Sequence, residues 1–232
     1  MARLPRICPL GIPQHVIQRG NNRQFCFAQE QDLALYANWL DDYAAEFGAQ
    51  IHAWVFMTNH VHLLVTPTMP NAVSKMMQAL GRRYVRYFNS EYDRTGTLWE
   101  GRFKSSLVQS ETYLLQCQRY IEMNPVRALM VDDPAEYTWS SYQSHALGKT
   151  IKLHTPHEEY LKLAKDVETR QNRYRQLFKD HVDKNLMVDI REALNKGLAL
   201  GNEKFKSDIE ALCGRRLRPA RMGRPQIGES LI

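Results

Sequence analysis

The stretch IHAWVFMTNHVHLLVTP (51–67) constrains this chain more than any other. Two β-rich runs follow each other with almost nothing between them, and Pro67 ends the second, which is the pattern of an antiparallel hairpin. His60 and His62 stand two apart in the second run. Alternate residues of a strand share a face, roughly 6.6 Å apart along the chain. The two imidazoles therefore project side by side, while Val61 points the other way. Either both are buried rings with hydrogen-bond partners, or they hold an ion, since imidazole is the commonest metal ligand. Two imidazoles do not complete a metal site, so a third ligand must come from elsewhere and leave positions open for substrate.

The flanking pattern defines the fold around this hairpin. QHVIQRG (14–20) is a short strand that runs into a Gly/Asn turn. Residues 30–47 place Leu33, Tyr36, Leu40, Tyr43 and Phe47 three or four apart, an amphipathic helix that Gly48 stops. A second helix covers 71–90, through Val73, Met76, Met77, Leu80, Tyr84 and Phe88. TLWEGRFKSSLVQ (97–109) is a strand with a bend at Gly101, and ETYLLQCQRYIEMN (111–124) is a third helix. The order β-α-β-β-α-β-α fits an α+β fold: a ferredoxin-like antiparallel sheet with helices on one face. That platform serves RNA-recognition modules and DNA-nicking enzymes alike, so the fold alone does not choose a function. After EYTWSSYQSHALGK the pattern becomes helical, over 157–180 and then NLMVDIREALNKG and NEKFKSDIEALCG, punctuated by Gly197, Gly201 and Gly214. The expected division is residues 1–148 for the sheet domain and 149–232 for a small helical region with a basic tail.

Composition narrows the partners. The net charge is +6 with 44% hydrophobic residues, an ordinary globular balance with a basic excess that suits an acidic partner. Cys8, Cys26, Cys117 and Cys213 are too far apart in sequence to write a paired-thiolate zinc site, and they read as free thiols in a reducing compartment. Prolines break MARLPRICPLGIP before a secretory apolar run can form, and no stretch approaches ~20 apolar residues. A soluble, cytoplasmic protein without membrane contact is the expectation.

The third helix offers chemistry to match the histidines. In RYIEMNPVRA, Tyr120 and Asn124 are i and i+4 neighbours on one helical face. Tyr120 supplies a phenol that could attack a phosphorus, and Asn124 a carbonyl oxygen for a metal. Each has a plainer use. Tyr113, Cys117 and Tyr120 form a stripe of the kind that packs a core, and Asn124 before Pro125 is a good N-cap for a short helix. On the second helix, GRRYVRYF interleaves Arg82, Arg83 and Arg86 with Tyr84, Tyr87 and Phe88. Arginines contact phosphates and exposed aromatic faces stack on unpaired bases, although the same spacing is ordinary amphipathicity. Arg19 and Arg23 form a second basic spot, and Arg102, Lys104 and Arg127 complete the candidate DNA contacts.

NHVHLL, LWEGRFKS and YLLQCQRYIEMNPVRA, in this order and spacing, resemble the REP-associated tyrosine transposases, single-tyrosine HUH enzymes of the IS200-like superfamily. The resemblance covers roughly residues 10–145, and HVIQRGNNRQ fits its opening. It implies a catalytic domain that cuts and rejoins single-stranded DNA beside palindromic hairpins of bacterial genomes, in the nucleoid. It implies Tyr120 as nucleophile, His60 and His62 as ligands of Mg²⁺ or Mn²⁺, and Asn124 as third ligand, where many relatives carry glutamine. It implies a monomer or a homodimer.

The C-terminal part lies outside the resemblance. Its two helices around a glycine turn have the look of a helix-turn-helix, with Lys204, Lys206, Arg215 and Arg216 able to touch phosphates. MGRPQ holds a Gly-Arg-Pro of the kind that enters A·T minor grooves; a helical packing appendage with a solvated tail is the alternative. Two other functions remain open at this level: a non-enzymatic DNA- or RNA-binding regulator, and a metal phosphodiesterase in which water attacks.

Overall fold

The computed structural model describes residues 6–179 and 183–219. Its centre is one five-stranded sheet in the order β2-β3-β1-β4-β5. The strands are β1 (Gln14–Arg19), β2 (Ala49–Met57), β3 (His60–Pro67), β4 (Lys104–Val108) and β5 (Ala199–Leu200). The first four pair antiparallel. Helices α1 (Glu30–Phe47), α2 (Ala72–Glu91) and α3 (Ser110–Glu122) connect them, followed by α4 (Asn124–Arg127), α5 (Tyr142–His145), α6 (Glu158–Leu161), α7 (Val167–Lys179), α8 (Lys184–Lys196) and α9 (Glu203–Cys213).

Period-two alternation along β3 sorts the two faces. Val61, Leu63 and Val65 join the core under α1 and α2, together with Val16, Ile51, Trp54 and Phe56. Leu64, Ala53, Val55 and Met57 join the opposite core, which α3 covers with Leu114, Cys117, Tyr120 and Ile121. In β2 the parity changes at His52, where a register shift separates Ile51 from Ala53. One extra residue in a strand turns the following side chains over. That bulge is why Ile51 and Trp54, three apart, share a face.

The α+β class, the antiparallel sheet and the helical character of the C-terminal region are as the sequence indicates. Two details differ. Helices cover both faces of the sheet rather than one, because α3 and α8 bring Ile121, Ile190 and Ala193 onto the face opposite α1 and α2. The C-terminal region also returns to the sheet, as β5 pairs parallel with β4 through Leu107–Ala199 and Val108–Leu200. The strand expected over 97–109 is regular only from Lys104. Before it, Trp99 makes an isolated bridge to Gly20, and Gly101 takes φ +105°, a left-handed bend that suits glycine. The helical stretch at 157–180 is two helices, α6 and α7. The buried face of α8 lies on the sheet, and MGRPQ (222–226) lies outside the described residues. All four cysteines are free thiols. Among the described residues no helix is long and apolar enough to cross a membrane.

A histidine, tyrosine and arginine cluster as candidate active site

Register places the site. Directly opposed residues of an antiparallel pair share a face, and diagonal neighbours lie within side-chain reach. Arg19 is opposite His60 and Ile17 opposite His62, which puts His15 on the diagonal from His62. The Nε2 of His15 lies 2.8 Å from Nδ1 of His62. The rings of His60 and His62 have centroids 5.1 Å apart. From the overlying helix α3, the Tyr120 ring meets His15 and His62 edge-on, at 5.7 and 6.1 Å. The Arg127 guanidinium of α4 lies over the Tyr120 ring, 4.0 Å from its centroid, where a cation is attracted by the π-face. Tyr120 is thus both part of the core stripe with Cys117 and the neighbour of the histidines.

Asn124 does not cap the following helix as its place before Pro125 suggests. Its amide nitrogen donates to the carbonyls of Tyr120 and Ile121, at 3.2 and 3.0 Å, and so closes the end of α3. Its Oδ1 accepts a 2.9 Å bond from Nη2 of Arg127. The carboxamide therefore fixes both the turn after Tyr120 and the arginine above the ring.

Burial sets the charge state. Loss of hydration, aided by Arg19 and Arg127, lowers His60 to about 4. The same loss lowers His15 to about 3, with Arg127 contributing. His62 is pushed well below the ordinary imidazole range by burial and by its two histidine neighbours. All three rings are neutral at pH 7. Burial also lowers Arg127 from its ordinary value. Polar groups here lack partners among the described residues: Nδ1 of His15, Nε of Arg19 and Nη1 of Arg127.

Among the described residues, no three His, Cys, Asp or Glu side chains are arranged to hold a metal ion. His60, His62 and Asn124 nevertheless offer donors that suit a divalent cation, two neutral imidazole nitrogens and one amide oxygen. Both imidazoles are neutral, as ligands must be. Each has its Nδ1 engaged, with Oδ1 of Asn59 at 2.6 Å or with His15, the pattern that orients a ligating imidazole through its other nitrogen. The Asn124 oxygen has two lone pairs, of which Arg127 takes one.

Residues 11–124 match the family described as Transposase IS200 like. This segment is an IS200-like transposase domain. A solved structure of a REP-associated tyrosine transposase bound to a REP hairpin superposes with a TM-score of 0.52 at 16% identity, over 68% of this chain and 93% of that one. That likeness is one of fold. A candidate transposase of Deinococcus radiodurans R1 is 26% identical over 52% of this chain and 96% of its own, with a TM-score of 0.36. No curated protein matches the chain.

The candidate DNA contacts divide between the two faces of the sheet. Arg19 and Arg127 join the histidine cluster. Lys104 bonds Oδ1 of Asn195 on α8, and Arg23 is exposed in the loop after β1. Arg82 and Arg86 line a groove beside α2, on the other face, Arg102 borders both that groove and the cleft of Arg19 and Lys104, and Arg83 stacks on Trp39, 4.4 Å from its centroid. Of the C-terminal cations, Lys206 pairs with Glu203, and Arg216 donates to the carbonyl of Pro219. His15 carries no sign in the sequence of belonging to the cluster. Its strand, QHVIQR, is polar at most positions, so nothing local singles it out, and the pairing register is needed to bring it to His62.

Proposed function

We propose that this chain is a metal-dependent endonuclease and strand transferase for single-stranded DNA beside palindromic hairpins, working through a 5′-phosphotyrosine on Tyr120. What carries this reading is the seat of Tyr120, its ring edge-on to His62 and His15 with Arg127 across its face, in an IS200-like transposase domain. The relative bound to a REP hairpin suggests the hairpin class of substrate. We assign the catalytic unit to residues 1–148 and an accessory role to 149–232.

Tyr120 is the nucleophile. Its hydroxyl gives up its proton and its oxygen forms a bond to phosphorus, the bond from phosphorus to the 3′-oxygen breaks, and the leaving oxygen gains a proton. One phosphodiester replaces another, so the step reverses to join strands without a nucleotide cofactor. Phenols ordinarily titrate near ~10, so the developing phenolate needs a nearby cation. Arg127 supplies it, and Asn124 holds Arg127 in place. The unpartnered N–H groups of Arg19 and Arg127 suit non-bridging phosphate oxygens. His60, His62 and Asn124 would hold Mg²⁺ or Mn²⁺, which when bound withdraws charge from the phosphate. His15 keeps the ring of His62 oriented.

A labelled hairpin oligonucleotide with single-stranded flanks, incubated with Mn²⁺, tests this. Wild type should cut it, Tyr120→Phe should not, and His60→Ala should lose cutting while retaining much of its binding. Cutting that survives Tyr120→Phe would mean that water attacks. Binding with no cutting under any metal condition would mean a non-enzymatic DNA-binding regulator.

A further inference from the structure

Asn59 stands between β2 and β3, beside His60, and its carboxamide is bonded at both ends. Its Nδ2 donates to the carbonyl of Arg23 at 3.1 Å, and its Oδ1 lies 2.6 Å from Nδ1 of His60. A backbone carbonyl only accepts, so the NH₂ end of the amide must face Arg23 and the oxygen must face His60. An amide oxygen also only accepts, so the proton of the second bond belongs to Nδ1 of His60. In a neutral ring that leaves Nε2 bare, with the lone pair a metal needs.

The hold on Asn59 is built into the turn over residues 20–24. Asn22 and Arg23 both take positive φ, 50° and 58°. That region is unfavourable for residues other than glycine, and arginine lacks the short polar side chain that lets asparagine visit it. Such conformations persist where the surroundings fix them. Here the N–H groups of Arg23 and Gln24 close the turn onto the carbonyls of Gly20 and Asn21, at 3.0 Å each, and Asn21 donates to the Leu98 carbonyl at 2.8 Å. A Cβ on Gly20 would stand 2.2 Å from the Gln24 carbonyl oxygen, so only glycine lets the turn close. The Gly20 N–H in turn donates to the carbonyl of Asn59, at 2.9 Å. The turn therefore grips Asn59 by its backbone and by its side chain.

We propose that Asn59 is a positioning residue for His60, clamped by the strained turn of Asn22 and Arg23 so that Nε2 of His60 is the bare nitrogen offered to a divalent cation. It acts through the imidazole and touches neither the cation nor the DNA. The proposal rests on the metal-dependent function above for the cation; the place of the ring proton stands on the hydrogen bonds alone.

That proton is read in metal-free protein labelled with ¹⁵N-histidine, by long-range ¹H–¹⁵N correlation at about pH 8, above the ordinary imidazole range. His60 is assigned by its loss in His60→Ala. Wild type should carry the proton on Nδ1. Asn59→Ala should move the ring toward the Nε2–H form that free imidazole favours, with little change in melting temperature, because Asn59 is half-exposed. Asn59→Asp keeps an acceptor beside Nδ1 and should restore the wild-type form. Gly20→Ala leaves Asn59 in place but opens the turn, and should act in the direction of Asn59→Ala. In a Mn²⁺ titration Asn59→Ala should bind about ten- to a hundredfold more weakly than wild type, with Asn59→Asp close to wild type. A wild-type ring protonated on Nε2, or one that Asn59→Ala leaves unmoved, would overturn the proposal, as would unchanged Mn²⁺ affinity in Asn59→Ala. A ring that Gly20→Ala alone leaves unmoved would remove the turn from it. If the proton sits on Nδ1 and responds as stated in a protein that binds no divalent cation, the metal-dependent function fails while the hold of Asn59 on the ring stands.

Discussion

Helix α3 has a histidine cluster on either side, and the two differ in how completely their polar atoms are paired. Toward the sheet, Tyr120 meets His15 and His62 beside unpartnered nitrogens of His15, Arg19 and Arg127. Toward the C-terminal helices, Glu122 is fully buried. It accepts from Ser141 and from Nδ1 of His145 on one oxygen and from Tyr174 on the other, at 2.5, 2.7 and 2.8 Å. The chain continues from His145 to His154 at 2.8 Å, and from His154 to Ser144. Tyr160 donates to the His145 carbonyl. A carboxylate with three donors is structural glue, because every member gains by the others' placement. The only loose end in that network among the described residues is the Gln118 oxygen. Two histidine clusters thus flank one helix, and the pairing of their polar atoms tells them apart. The closed network holds the register of α3, and with it the position of Tyr120, two residues from Glu122.

Substitutions should separate the two sides. The largest effect is expected from Tyr120→Phe, which keeps the ring and its packing but removes the hydroxyl. Strand cleavage should fall at least about 1000-fold, roughly 4 kcal/mol of barrier, with an unchanged melting curve. Next comes Glu122→Ala, which strands three buried donors. Denaturant unfolding should show a loss of about 3 kcal/mol, whether or not metal or DNA is present. If Glu122→Ala left stability intact and abolished only cleavage, the distinction between the two sides would fail. His15→Leu should lower Mn²⁺ affinity by about ten- to a hundredfold in a direct titration, because His62 loses the group that orients it. The smallest effect is a gain: Gly81→Ala, inside α2 where a Cβ finds room, should stabilise the fold by about 1 kcal/mol in the same denaturant assay.

These clusters also mark where sequence alone could reach. His60, His62, Tyr120 and Asn124 were legible because strand and helix periodicity are local, and i,i+2 and i,i+4 spacing needs no tertiary information. His15 was not, since its partner lies 47 residues away and only the β1–β3 register joins them. The role of Asn124 was half legible: Asn before Pro signals a helix end, but the side chain closes the preceding helix rather than opening the next. Nothing local in the sequence marks Glu122, because its donors come from Ser141, His145 and Tyr174, all far along the chain. The strand β5 has only two residues, Ala199–Leu200, too few for any period to show. The helical cover on the second face escaped notice for a related reason. An amphipathic helix shows that it has an apolar side, not which side of a sheet receives it.

The central claim, that the buried phenol beside the histidines attacks DNA, is tested most directly by mapping a trapped adduct. Protein incubated with a suicide hairpin oligonucleotide and Mn²⁺ would be digested and its modified peptide sequenced by mass spectrometry. The account predicts a nucleotide mass on the phenolic oxygen of Tyr120 and none in the presence of chelator. An adduct on another tyrosine, or cut DNA with no protein attached, would contradict it.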